Sequence, residues 1–127
     1  MPLLPVAWGE VFDKLTILEI KQARLTNPAQ QAHVAREHAE LLACAGDLAR
    51  FPPALAAAVA ELKAINDTLW DIENGKRDCE RRQCFDAHFI RLARDVYLYN
   101  DQRAAIKRRI NDLLGSTLVE QKSHSGC

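Results

Sequence analysis

Arg103 falls where a leucine belongs. On the helical wheel of the last long segment, Phe85, Phe89, Leu92, Val96, Tyr99, Ile106, Ile110 and Leu114 share one stripe, and Arg103 lies near its middle. Lys107 and Asn100 flank it on the same side. Cations on a core-facing stripe are costly unless paired or bound to a ligand. The guanidinium fork suits a carboxylate or a phosphate. The segment before it repeats the anomaly. Leu55, Ala58, Val59, Leu62, Ile65, Leu69 and Ile72 define its stripe, Asn66 and Glu73 lie inside, and Trp70 borders it. In the first segment Glu19 shares the main apolar face with Trp8, Val11, Phe12, Leu15 and Leu18.

These residues together imply a polar pocket inside a helical domain. Arg103 and Lys107 would hold an anion: phosphate, nucleotide or carboxylate. Glu73 and Glu19, the candidate catalytic groups, would orient the cations or move a proton. Asn66 and Asn100 would donate orienting hydrogen bonds. On this reading Arg103→Leu abolishes binding and keeps or raises stability. A second reading closes the same charges into an ion-pair network with no ligand, in a non-enzymatic homodimer. A third takes Glu10-x-x-Asp13 as half of a magnesium site, completed by Asp67, Asp71 and Glu73, in an all-helical nucleotide pyrophosphohydrolase. The wheel positions of those acids diverge. No other cofactor is implied.

Other chemistries have weaker support. Cys79, Cys84 and His88, with Cys127 or His124, are a loose zinc set of no standard spacing. Cys44 reads as core filler, and His33 and His38 as surface or boundary residues. Ser116, Ser123 and Ser125 have no nucleophile setting. Glycine-rich phosphate loops and Glu-x-x-His pairs are absent from the sequence. With 17 basic and 17 acidic residues, the chain lacks the basic excess of a nucleic-acid binder. No apolar run is long enough to span a membrane and no signal-peptide pattern is present, which predicts a cytoplasmic protein with reduced cysteines.

The elements that must position these residues are helices. The chain of 127 residues predicts one helical domain over 1–127. An extended arm covers 1–7. Helices follow over about 8–25, 28–50, 54–74 or longer, and 85–114, with a tail over 116–127. Asn27-Pro28 starts the second, Phe51-Pro52-Pro53 breaks the chain, Gly75 ends or weakens the third, and Gly115 closes the fourth. The predicted fold is all-α, an antiparallel four-helix bundle with an N-terminal arm and a C-terminal tail. The first helix is apolar on two sides, which predicts a central position or a subunit contact. Glu10, Asp13, Lys21 and Arg24 share its second face with Ile17 and Ile20, and read as surface charges.

Several blocks resemble a bacterial family, domain of unknown function 6165. The opening, Gly9-Glu10-Val11-Phe12-Asp13-Lys14-Leu15-Thr16-Ile17-Leu18-Glu19-Ile20-Lys21 with Arg24, carries most of the resemblance. Asn66, Leu69-Trp70-Asp71-Ile72-Glu73 and Arg77 resemble the family's middle. Phe85 to Ile90, Leu92-Ala93-Arg94, Val96-Tyr97, Asn100-Asp101, Arg103, Ile106-Lys107 and Ile110-Asn111 follow. Leu114-Gly115-Ser116 and Glu120-Gln121-Lys122-Ser123 resemble its end. The resemblance spans most of the chain, except the second helix. The resemblance implies that the tail belongs to the domain, and it implies no activity. His124 stands where the family's pattern leads one to expect an aromatic residue.

Overall fold

The structure is a computed structural model that describes residues 2–115. Four helices carry the fold, with no strand among the described residues: α1 (Trp8–Arg24), α2 (Pro28–Ala45), α3 (Ala54–Arg82) and α4 (Ala87–Leu114). Residues 2–6 form an exposed, non-helical arm. The tail, with Ser116, Ser123, His124, Ser125 and Cys127, lies outside the described residues.

The start signals act as read. The Asn27 side chain accepts from the Ala29 and Gln30 amides, and Pro28 supplies the first helical position. Asn27→Ala should cost about 1 kcal/mol in a urea unfolding titration. Only Val34 and Ala45 of α2 are buried, so the loss should also appear as faster amide exchange at its first turn.

Two boundaries differ from expectation. The second helix stops at Ala45, five residues before Arg50. Gly46 turns the chain at φ 79°, and Leu48–Arg50 form a separate 3-10 turn capped by Asp47. Arg50 then donates to the Ala45 carbonyl at 2.9 Å. α3 runs past Gly75 to Arg82, the longer of the two ends expected, and at Gly75 a Cβ would meet Leu92 of α4 at 3.0 Å. α4 starts at Ala87, with Asp86 accepting from the His88 and Phe89 amides. Those amides, Phe89 first, hold the Asp86 carboxyl below its ordinary value.

α1 is the central element and packs against all three other helices. The main core joins Phe12, Leu15, Leu55, Ala58, Leu62, Ile106 and Ile110. Partners along α3 and α4 run in opposite senses: Glu61 binds Arg109, and Gly75 faces Leu92. α1 and α2 have 17 and 18 residues against 29 and 28 in α3 and α4, too few to cover the whole long pair. The predicted α4 stripe is therefore buried only at Ile106 and Ile110, while Phe85 is exposed.

Candidate functional site

The inward arginine reaches a carboxylate on the central helix. Arg103 donates from Nε to Asp13 Oδ1 at 2.9 Å and from Nη2 to Asp13 Oδ2 at 2.5 Å, a bidentate pair. Asp13 is only 5% exposed, and the Arg103 side chain is 29% exposed. Asn66 of α3 donates from Nδ2 to Asp13 Oδ1 and to Thr16 Oγ1, both at 3.0 Å. The Thr16 hydroxyl donates to the Asp13 carbonyl at 2.8 Å. Three helices thus meet at one carboxylate. Every buried side-chain polar atom among the described residues has a partner.

Burial alone would push the Asp13 carboxyl upward. Hydrogen bonds from Arg103 and Asn66, with the charges of Arg103 and Lys107, outweigh it and hold Asp13 below the usual carboxylate range. The same pairing raises Arg103 further. One turn along, Lys107 pairs with Glu10 at 2.8 Å. Glu10 and Asp13 thus face Lys107 and Arg103 as two adjacent ion pairs.

Beside this network opens a cleft of about 230 Å³, lined by Ile17, Asn66, Leu69, Trp70, Glu73, Asn74, Arg77 and Arg103. Glu73 is partnered by Lys76 at 3.5 Å. Arg77 is exposed and has no ion pair among the described residues. The Nη1 of Arg103 has no protein acceptor among them either. A larger apolar groove of about 410 Å³ lies between α1 and α2. Its one lysine, Lys14, is paired with Glu37 at 3.1 Å, so it offers no comparable cation.

Of the six inward polar residues expected from sequence, three come together in the cleft: Asn66, Glu73 and Arg103. Lys107 is one turn away and spent on Glu10. Glu19 lies in a different groove, with Lys63 at 3.1 Å and His38 at 3.2 Å. Asn100 is exposed, because it sits at the edge of a stripe that nothing covers there. Arg103 does not pair with Glu73 or Glu19. Its partner is Asp13, which had read as a surface charge. Asp13 shares the second apolar side with Ile17 and Ile20, but so do the exposed Glu10 and Arg24, so that face alone does not single it out. Asn74 and Arg77 had no individual signal on the wheel.

The remaining sets do not assemble. No three His, Cys, Asp or Glu side chains among the described residues are placed to hold a metal ion. Cys79 is buried in α3, Cys84 contacts Asp86 and His88 is exposed, so these three do not converge. Cys44 is exposed rather than core, since α2 turns that side outward. Glu10, Asp13 and Glu73 are each matched by a separate cation. Asp67 and Asp71 both bind Arg24, which they raise above its ordinary value, Asp71 first. No helix among the described residues is long and apolar enough to cross a membrane.

The chain belongs to a family of unknown function, DUF6165, whose sequence profile matches residues 4–127. No curated protein and no solved structure matches it.

Proposed function

We propose that this member of DUF6165 is a small-molecule-binding protein of the cytoplasm, built as an antiparallel four-helix bundle, and that the cleft beside Arg103 takes a small organic anion. The observation that carries this is the convergence of Arg77, unpaired among the described residues, with Arg103 at one cleft. Asp13 and Asn66 fix the Arg103 fork, so its ordering cost is met before a ligand arrives. The opposed pairing along α3 and α4 supports the bundle topology, and free Cys44, Cys79 and Cys84 fit a reducing compartment.

Arg77 provides the clean test. It is exposed, so Arg77→Ala should fold as wild type does. In a thermal-shift screen against phosphate, nucleotides, sugar phosphates and small carboxylates, at least one anion should raise the wild-type midpoint, and Arg77→Ala should lose most of that rise. A screen with no rise, or an equal rise in both proteins, sinks the reading.

A closed structural network with no ligand is the second reading. It is favoured by the saturation of every buried polar side-chain atom among the described residues. It expects no midpoint shift from any anion and a clear stability loss on breaking the Asp13–Arg103 pair.

A further inference from the structure

The shape and charge of the cleft restrict which anion fits, if the binding reading above holds. Its polar lining charges are Glu73, Arg77 and Arg103. Glu73 is matched by Lys76, and Arg103 by Asp13. One uncompensated positive charge remains, that of Arg77. A dianion such as a phosphate monoester would leave a net negative charge in a partly desolvated cleft. A carboxylate would be balanced.

Size narrows the class further. The volume of about 230 Å³ falls below the ~300–1,000 Å³ of ordinary ligand pockets, which suits a single ring rather than a nucleotide. Three of the lining side chains, Ile17, Leu69 and Trp70, are apolar or aromatic. Among the described lining residues Trp70 is the aromatic one, and a planar ring stacks well on an indole. The Asn66 amide nitrogen is committed to Asp13 and Thr16, which leaves its carbonyl oxygen as an acceptor. Together with Glu73 and Asn74, it provides partners for a ring hydroxyl.

We infer that the cleft takes a planar, single-ring aromatic carboxylic acid, with its carboxylate on Arg77 and the free edge of Arg103 and its ring against Trp70. The probe is 4-hydroxybenzoate, compared by calorimetric titration with trans-4-hydroxycyclohexanecarboxylate, which has the same charge, the same hydroxyl and similar size but no planar ring. Inorganic phosphate and adenosine monophosphate are titrated alongside. The aromatic acid should bind about five-fold tighter than the saturated one, the usual worth of an aromatic pair beyond its area. Trp70→Leu should erase that preference, Trp70→Phe should keep it, and Arg77→Ala should weaken both acids alike.

Equal binding of the two acids, lost in Arg77→Ala, overturns the aromatic class and leaves the anion cleft standing. Tighter binding of phosphate or of the nucleotide also overturns it. A preference that survives in folded Trp70→Leu removes the indole as the platform and overturns it too. Failure of all four anions to bind overturns this inference, and a flat thermal-shift screen beside it overturns the reading beneath it as well.

Discussion

Arg103→Leu is expected to destabilise the protein by about 3 kcal/mol at pH 7, the cost of removing one partner of a buried ion pair. The wheel alone argues the reverse, because leucine completes the apolar stripe of α4. Asp13 decides the sign. It is 5% exposed, and without Arg103 it keeps only the Asn66 amide as a side-chain donor. The desolvated charge then keeps only the Asn66 hydrogen bond and the more distant charge of Lys107, and the gain from one more buried leucine does not offset the lost guanidinium. Replacing both partners removes the problem, so Asp13→Asn combined with Arg103→Leu should recover most of the loss. Urea titrations of the two single variants and the double variant give the coupling directly. A single Arg103→Leu variant as stable as wild type would mean that water reaches the Asp13 carboxylate.

The same pair sets a pH dependence of known sign. In the folded protein Asp13 is held below its ordinary value, against about 3.9 in an unfolded chain. A depressed acid contributes stability that is present above the unfolded value and lost as pH falls through the folded value. Wild type should therefore lose this contribution only below about pH 4. In Arg103→Leu the burial of Asp13 is opposed only by Asn66 and Lys107, so its carboxyl shifts upward and protonation offsets part of the loss. The gap between the two proteins should narrow steadily from pH 7 to pH 4. A gap that stays constant over that range would assign the loss to packing instead of charge.

Much of this architecture is legible in the residues. Asn27-Pro28, the paired prolines after Phe51, and Gly115 are local signals whose effect depends on a few neighbours, and the helices begin and end near them. Gly46 is equally local and was passed over, since an apolar period that continues to Arg50 hides a stop that φ alone imposes. The wheel identified Arg103 and Asn66 as interior because each lies on a single-sided stripe. It misplaced Asp13 because α1 has two buried sides, and a two-sided helix gives no phase from which to tell an inner charge from an outer one. Asn100 failed for the opposite reason. Its stripe is real, but α1 and α2 are too short to cover it, and helix length relative to neighbours is a tertiary fact. The pairing of Glu10 with Lys107 of α4 is likewise set by which helices meet.

Gly9→Ala should be the other severe substitution, costing about 2 kcal/mol although it adds one methyl group to a helix. Ala7 at the start of α1 supplies no side-chain cap. The first-turn N–H of Gly9 donates instead to α4, to Asn111 Oδ1 at 2.7 Å. A Cβ on Gly9 would lie 2.6 Å from the Lys107 carbonyl oxygen and 2.9 Å from Asn111 Oδ1. The first of these belongs to the backbone of α4 and cannot rotate away. The helices must separate at their closest approach, which weakens the Asn111 hydrogen bond and strains the neighbouring Glu10–Lys107 pair. The better helix propensity of alanine returns at most about 1 kcal/mol. Adding Asn111→Ala removes only the side-chain part of the clash and should not restore stability. Gly75→Ala is the matched control. It is also a glycine inside a helix, but there the new methyl meets the Leu92 side-chain tip at 3.0 Å, which can turn aside. Propensity and crowding then nearly cancel, and unfolding midpoints should place Gly75→Ala close to wild type with Gly9→Ala well below both. Equal effects at the two glycines would show that α1 and α4 approach less closely than a backbone contact requires.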